Sequence, residues 1–463
     1  MAKQCTSSGT CLPSAVCHRL WIKGSTAALN RCFPVKCRVQ GFGRKMTDQK
    51  IQSVRIAFLL DSLSGGGAEK VILNLAGGFA DAGYLADLLI CKMKGALLNQ
   101  IPSNVNVVQL KAAMPLRGVV SAFSADPASL KPVLGISATL RKVPGTFKFL
   151  PAIIRYLKSN QPAALLSALP KANINAVLAG QYCEGKTRIV VGVHANYSAH
   201  DRLGKKKSEI MDSYMLTLIR RHYRRADAVV AVSRGAEKDI CEYLGLSRER
   251  VTSVYNPVAT RSLQVLCKEV SDHPWFEPGS VPVILGIGRF DAQKDFPLLL
   301  DAFARVREQR AVRLVLLGGD VTSGEQQSLQ KELAVQAEHL GVMDDFDMPG
   351  FVDNPLSYLN RAAVFVLSSR YEGFGNVLVE ALLCGCPVVS TDCPSGPAEI
   401  LENGKYGELV QVGDVCALAD AICRTLDTPL DRGLLRARGG EFSIENAVDN
   451  YRHILLGKKC DVH

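Results

Sequence analysis

The sequence predicts an α/β protein of two doubly wound parallel sheets facing a central cleft. Three observations carry this. Short apolar runs bounded by polar residues alternate with helical stretches in two separate series, from residues 53 and 282. The first run of each series ends in a glycine-bearing loop. Between the series lies a polar stretch through Ser271-Asp272-His273-Pro274. Alternating strands and helices form parallel sheets covered on both faces, with ligand sites beyond the strands' C-terminal ends. Two Rossmann-like units are thus expected, and 463 residues are too many for one core.

The elements follow in order. Val54 to Leu60 is an apolar run closed by Asp61, Ser62 and Ser64, then Gly65-Gly66-Gly67 leads into helical spacing from Ala68 to Ala76. Further strands are expected at Ala86 to Cys91, Val105 to Leu110, Ala163 to Ala168, Arg188 to Val193 and Ala228 to Val232. Lys207 to Arg225 reads as a helix. Residues 111–150, rich in Pro, Gly, Ala and basic residues, break the rhythm and read as an inserted or mobile lobe. Tyr255-Asn256-Pro257-Val258 reads as a turn closing a strand, because proline disfavours a helical residue before it. The second series offers strands at Pro282 to Gly288, Arg313 to Gly318, Val364 to Ser368 and Pro387 to Thr391. The expected division is an N-terminal extension (1–50), a first domain (51–265), a second domain (266–445) and a C-terminal helix and tail (446–463).

Apolar residues make up 47% and charged residues 21%, ordinary for a soluble globular protein. No run of eighteen apolar residues occurs, so a membrane contact would be a surface one. Of the net charge of +11, eight units lie in residues 1–45, which hold no Asp or Glu, leaving +3 on the rest. That segment also carries Cys5, Cys11, Cys17, Cys32 and Cys37. It reads either as a disordered leader ahead of a true start at Met46 or as a basic organelle transit peptide. A metal module is disfavoured, since no C-x-x-C pair occurs there. The other ten cysteines lack framework spacing and read as buried thiols in a reducing cytosol.

The chemistry concentrates in residues 367–385, where a strand end, a glycine loop and an amphipathic helix follow one another. Gly373 and Gly375 allow close backbone approach, and the helix start offers unpaired N–H groups to an anion. Glu372 stands in the loop; Glu380 stands one turn into the helix, on the face of Asn376. A diphosphate also wants fixed cations, because a helix end contributes only about 0.3–1 kcal/mol. Arg289 and Lys294, straight after the first strand of the second series, supply them.

The block Glu372-Gly373-Phe374-Gly375-Asn376-Val377-Leu378-Val379-Glu380, with Ala381 to Ile400 after it, resembles the E-x7-E signature of family 4 retaining glycosyltransferases. The Arg289/Lys294 spacing, Gly65-Gly66-Gly67-Ala68-Glu69 and Pro349-Gly350-Phe351 are similar to other motifs of that family, and the likeness spans roughly residues 53–450. It implies the GT-B fold and transfer from a nucleotide sugar with retention of configuration, without a metal or other cofactor. By resemblance, Glu372 contacts hydroxyls of the donor sugar and Glu380 the ribose. Arg289 and Lys294 neutralise the diphosphate. Backbone at Gly373, Phe374 and Gly375 lines sugar and phosphates, with Asn376 and Val377 beside them, and Phe351 lies by the base. His194 stands near the anomeric carbon, and Gly66 and Gly67 let the first domain close over the phosphate. The expected donor is a UDP-sugar carrying a hexose or N-acetylated hexose. The resemblance also makes the first domain (51–265, with lobe 111–150) the acceptor domain and the second (266–445) the nucleotide-sugar donor domain, and the expected acceptor is a lipid-linked sugar or growing cell-surface polysaccharide of a bacterium.

Arg220-Arg221-His222-Tyr223-Arg224-Arg225, with Lys205 to Lys207 and the apolar Ile210, Met211, Tyr214, Leu216, Leu218 and Ile219, has two readings. One is a solvated helix end; the other is docking on anionic lipid, which would place a cytoplasmic enzyme on the inner membrane face. Nucleic acid is not expected as a partner, since aromatics are not interleaved with the charges. Rival functions are a GT-B epimerase, a phosphorylase or a non-catalytic nucleotide-sugar-binding module. A dinucleotide oxidoreductase fails on spacing, because Lys70 stands where the glycine fingerprint needs Gly or Ala. Glu399 reads as an N-terminal acid of its own helix and falls outside the expected site.

Overall fold

The computed structural model describes residues 54–129, 145–202, 209–319 and 324–457, excepting the side chains of 209–212, 261 and 264. Residues 1–50, with the leader and transit readings, lie outside the described residues. Lys45–His463 cluster as one unit.

Within that unit the first sheet has seven strands: β1 (Arg55–Leu60), β2 (Leu85–Ile90), β3 (Asn106–Gln109), β4 (Ala164–Ala168), β5 (Arg188–Val193), β6 (Ala228–Ala231) and β7 (Val251–Ser253). They run in the order β3-β2-β1-β4-β5-β6-β7, and every pairing is parallel. The second sheet comprises β8 (Val283–Ile287), β9 (Arg313–Leu317), β10 (Phe346–Gly350), β11 (Val364–Leu367), β12 (Val388–Thr391) and β13 (Glu408–Val410). Its order is β10-β9-β8-β11-β12-β13, again all parallel. Both sheets are doubly wound. The chain reverses direction between β1 and β4 in one and between β8 and β11 in the other, and ligands gather at such switch points.

The continuous apolar runs are explained by burial on both faces. Along the first sheet Leu59, Leu89, Leu165 and Val191 enter one core, while Phe58, Leu60, Leu88 and Leu166 enter the other. The second sheet divides likewise, with Leu285, Val315 and Phe365 on one side and Ile284, Leu314 and Val364 on the other. The helices that matter below are α1 (Gly67–Asp81), α2 (Pro170–Gly180), α3 (Glu209–Tyr223), α4 (Arg234–Leu244), α5 (Asn376–Cys384) and α6 (Ile444–Leu456).

Helix α6 starts within the expected second domain, two residues before the anticipated boundary, and packs on the first. Ala447, Val448, Tyr451 and Leu455 are buried with Phe58, Phe79 and Leu88. A Cβ at Gly78 of α1 would stand 2.3 Å from Ile444 Cγ2, so glycine is what permits this close approach. Arg188 Nε adds a 2.7 Å bond to the Ile454 carbonyl.

The packing bears on two of the expectations. Both described ends of the 111–150 lobe are built into the first domain. Residues Pro115–Ala125 form a helix, Ala122 and Phe147 lie in the core, and a Cβ at Gly118 would stand 2.3 Å from the Phe147 carbonyl oxygen. Residues 130–144 lie outside the described residues. The basic patch of α3 is also occupied. Arg221 and Arg225 pair with Asp126, while Arg220 and Arg224 donate to the carbonyls of Tyr243 and Leu244 at the C-terminal end of α4. Tyr214, Leu218 and Ile219 face the core. The arginines are thus tied to neighbouring carboxylate and carbonyl groups while Arg220, Arg224 and Arg225 stay exposed; Lys205 to Lys207 and the side chains of Ile210 and Met211 are outside the described set. Among the described residues no helix is long and apolar enough to cross a membrane.

Candidate active site

Two loops at the C-terminal edge of the second sheet build the centre of the site. One runs from the end of β8 through Arg289 to Asp295; the other runs from β11 through Ser368 to Gly375. They are fastened together. Arg370 pairs with Asp295 at 2.7 and 3.1 Å, Ser368 Oγ donates to the Lys294 carbonyl at 2.7 Å, and the Arg370 amide donates to the Gln293 carbonyl at 2.8 Å. This fixes Lys294 against Glu372, with Nζ to Oε1 at 2.6 Å and side chains only 12% and 9% exposed. Ser369 Oγ donates to the same carboxylate oxygen at 2.7 Å, and Gln293 Nε2 reaches the other at 3.5 Å. Lys294, expected as a cation for phosphate, is thus already paired with the Glu372 carboxylate. Arg289 remains outside this pair, 65% exposed and loosely held by Asp291 at 3.2 Å and Gln293 at 3.1 Å.

Helix α5 starts from Gly375, whose φ of 98° lies in the left-handed region, and no side chain caps its first amides. Glu380 projects from its second turn, 13% exposed, with Oε1 4.0 Å from Lys70 Nζ of α1. Burial raises its pKa above the ordinary carboxylate value, opposed by Lys70 and Lys294. Val377 is half-buried against the core. Phe374 is a core residue, its ring stacked on Tyr255 at 5.5 Å, so only its backbone can serve a ligand. Phe351, just after β10, is 66% exposed and free to stack.

The first domain faces this assembly closely. A Cβ at Gly67 would stand 3.1 Å from Asn376 Nδ2, and one at Gly66 would stand 2.4 Å from the Glu69 carboxylate. Glu69 is buried, and burial raises its pKa, partly offset by Arg289 across the cleft. At Gly373 a Cβ would meet the His194 carbonyl oxygen at 2.2 Å, so any side chain there would wedge the two loops apart. His194 follows β5; both its ring nitrogens are inaccessible and without a partner among the described residues. Burial lowers its pKa to about 4, which keeps the imidazole neutral near neutrality. The expected site residues thus lie in the loop after β8 (Arg289, Lys294), in the loop before α5 and on α5 (Glu372 to Val377, Glu380), at the start of α1 (Gly66, Gly67) and just after β5 (His194), with Phe351 just after β10.

Sequence reasoning missed the polar clasp beside them. Glu399 does not serve its own helix: it accepts from the amides of Arg234 and Gly235, at 2.9 and 2.8 Å, at the start of α4 in the other domain. Asn196 donates to Ser395 at 2.9 Å, and Ser233 Oγ donates to the Gly373 carbonyl at 2.7 Å. No spacing along the chain marks such pairs, which are separated by 140 or more residues.

A glycine loop, a cation pair and a helix terminus converging between two doubly wound sheets suit a phosphorylated donor. Comparison with known proteins gives the family. Residues 65–262 match the model of Glycosyltransferase Family 4, and residues 281–428 match Glycosyl transferases group 1. The chain belongs to glycosyltransferase family 4. As a family-4 member it is 29% identical, over 53% of its length and 61% of the relative's, to N-acetylgalactosamine-N,N'-diacetylbacillosaminyl-diphospho-undecaprenol 4-alpha-N-acetylgalactosaminyltransferase of Campylobacter jejuni. It is 31% identical, over 51% of its length and 66% of the relative's, to the lipopolysaccharide core biosynthesis glycosyltransferase LpsE of Rhizobium meliloti. These matches span less than two thirds of either relative. Among solved structures, Anabaena HepE in complex with UDP and glucose superposes with a TM-score of 0.63 at 21% identity, over 87% of this chain and 99% of that one. This family-4 glycosyltransferase thus has the GT-B fold. Among its described residues no group of three or more His, Cys, Asp or Glu is placed to hold a metal ion.

Proposed function

We propose that the enzyme transfers a hexose-type sugar from a UDP-sugar to a lipid-linked or polysaccharide acceptor in cell-surface glycan synthesis, with retention of configuration and without a metal or other cofactor. The observation that carries this is the buried Lys294–Glu372 pair at the head of an uncapped helix, with the exposed Arg289, loosely held by Asp291, beside it. Glu372, held by Lys294 and Ser369, offers its carboxylate oxygens at a fixed place, suited to hydroxyls of the donor sugar. Arg289, Lys294 and the amides of α5 would meet the charge that develops on the departing diphosphate. Stabilisation by such preorganised groups needs no reorganisation at the moment of reaction.

His194, neutral and unpartnered, would accept or donate one hydrogen bond at the reacting end of the sugar. Glu380 would take the ribose hydroxyls and Phe351 the base. The diphosphate oxygen itself would take the acceptor's proton on the face from which it leaves. No carboxylate is assigned as a nucleophile, since Glu372 is already committed to Lys294. The relatives named for diphospho-undecaprenol and lipopolysaccharide substrates support the acceptor class, and the UDP complex of HepE supports the donor.

The test is a thermal-shift panel of nucleotides and nucleotide sugars on wild type and Glu380→Ala. A ligand at a hundred times its dissociation constant adds about 2.7 kcal/mol of stability. A UDP-sugar that raises the melting temperature of the wild type alone supports the reading. A folded wild type that responds to no nucleotide overturns it in favour of a non-catalytic module.

A further inference from the structure

A cavity of about 380 Å3 opens at the N-terminal edge of the second sheet, at the opposite ends of the strands from Arg289 and Lys294. Pro282 before β8, Val312 before β9, Ala363 before β11 and Pro387 before β12 all border it. These strands have four or five residues, so roughly 15 Å of sheet separates the cavity from the donor side. Its volume lies in the range of small-molecule sites. Three arginines enter it from three connections: Arg310 before β9, Arg361 at the end of the helix Pro355–Arg361, and Arg432 at the start of the helix Arg432–Gly440. Among the described residues no Asp or Glu lines it. Arg310 pairs with Asp427 at 2.9 Å. Arg361 donates to the Phe276 carbonyl at 3.3 Å, and Arg432 to the carbonyls of Asn360 and Cys384 at 2.5 and 3.4 Å. Neither has a carboxylate partner among the described residues. Three guanidiniums against one carboxylate leave an excess of positive charge.

The rest of the lining narrows the ligand. Guanidinium forks match the oxygens of a phosphate or carboxylate two at a time. Thr425, itself buried, adds a hydroxyl, while Pro387, Leu426 and the exposed Leu430 make an apolar wall. The cavity calls for an oxyanion head on a compact apolar body. It also touches the donor helix from behind. Cys384, whose carbonyl takes the second bond of Arg432, is the last residue of α5, and the first amides of α5 face the donor. A cation at a helix C-terminus supports that helix. An oxyanion that engages Arg432 competes with the Cys384 carbonyl for it.

We propose that this cavity is an effector site for a small molecule with a phosphate or carboxylate on an apolar body, and that filling it changes the affinity of the donor site through Arg432 and α5. The transfer reaction itself does not use it, since donor and acceptor meet at the other ends of the strands. The existence of the site rests on its own residues; its coupling rests on the donor reading given above. A phosphate ester and a carboxylate share the recognition chemistry, and the probes below tell them apart.

The test titrates inorganic phosphate, phenyl phosphate and benzoate by calorimetry into the full chain, into Arg361→Gln and into Arg289→Ala. Phenyl phosphate or benzoate is expected to bind wild type and Arg289→Ala alike, more tightly than inorganic phosphate does, and tenfold or more weaker in Arg361→Gln. Phenyl phosphate binding best assigns a phosphate ester; benzoate binding best assigns a carboxylate. No binding to the wild type, or equal binding in all three proteins, overturns the site. Binding lost in Arg289→Ala and kept in Arg361→Gln puts the anion in the donor site and overturns it as well. Inorganic phosphate binding as tightly as the others removes the apolar body from the assignment. UDP is then titrated with and without the tighter ligand at saturation. Its affinity should change by about twofold or more in wild type and not in Arg361→Gln, and UDP should change the affinity of that ligand by the same factor. An unchanged UDP affinity overturns the effector role. UDP that does not bind at all overturns the donor reading, and leaves anion binding that depends on Arg361 standing. Should Arg361→Gln fail to fold, Leu430→Glu, at an exposed position on the apolar wall, carries the same comparison.

Discussion

Lys294 and Glu372 are worth more to the fold than either would be alone. Removing one member of a buried ion pair leaves an uncompensated charge and costs roughly 3–5 kcal/mol, whereas replacing both is often nearly neutral. Lys294→Met should therefore lower unfolding stability by about 3 kcal/mol, and adding Glu372→Gln should restore most of it without restoring transfer. Urea denaturation of the three proteins, read beside an activity assay, checks this; full activity in the double variant would remove both residues from the chemistry. Arg289, exposed and loosely held, should behave differently. Arg289→Ala is expected to leave the melting temperature within a degree or two while kcat/KM falls about thirtyfold, the equivalent of roughly 2 kcal/mol of transition-state charge stabilisation. His194 supplies a pH signature. Its pKa of about 4 lies below the unfolded value near 6.5, so the unfolded chain binds the extra proton in that window. Stability falls as pH drops from about 6.5 towards 4, by up to about 1.4 kcal/mol per unit from this residue. His222, likewise lowered to about 4 by burial, acts in the same sense; Glu69 and Glu380, raised by burial, act in the opposite one. His194→Gln should flatten the profile of melting temperature against pH between those values, and an unchanged slope would count against a neutral buried imidazole.

At the scale of elements, the ten strands expected from apolar runs are present to within one or two residues, because for all but the exposed edge strand β3 burial leaves a clear run of apolar residues. The three that went unforeseen are short or polar edge strands. β10 reads Phe-Asp-Met-Pro-Gly, β13 has three residues, and β7 was noticed only through the turn that follows it. Edge position demands little hydrophobicity, so little shows in the sequence. The glycines of the site were legible, but their reason was not: Gly373 is required by the carbonyl of His194, 179 positions away, and no local pattern reveals that. Gly373→Ala makes the case testable. The Cβ would clash at 2.2 Å with the facing backbone, so the loops must part by about an ångström. A misplacement of that size can reduce turnover about a hundredfold. Steady-state kinetics should show it as a loss in kcat greater than any change in melting temperature, and wild-type kcat in the alanine variant would contradict the packing described. The basic patch of α3 shows the opposite failure. Its charges were visible, but their partners, Asp126 and the last carbonyls of α4, lie far along the chain, so a structural role looked like a surface one.

For the molecule as a whole, the two series of strands were legible in the sequence, whereas the return of the chain was not. An apolar stripe at helical spacing says that α6 buries a face; it does not say on which domain. Val448, Tyr451 and Leu455 each contribute about 1.5–3 kcal/mol by burial against the first domain. A fragment ending near residue 265 should therefore be unstable by itself, and co-expression with residues 440–463 should raise its soluble yield; a fragment equally stable with and without that helix would argue otherwise. The same return has a mechanical consequence. The chain passes between the domains twice, once near residue 258 and once near residue 442. The two passages lie side by side: Phe442 accepts from the amides of Val258 and Ala259, and Ala259 bridges Ser443. Two covalent tethers fastened to one another act as a door hinge rather than a swivel. An opening of the cleft about that line would return Gly373 onto His194 in the same register.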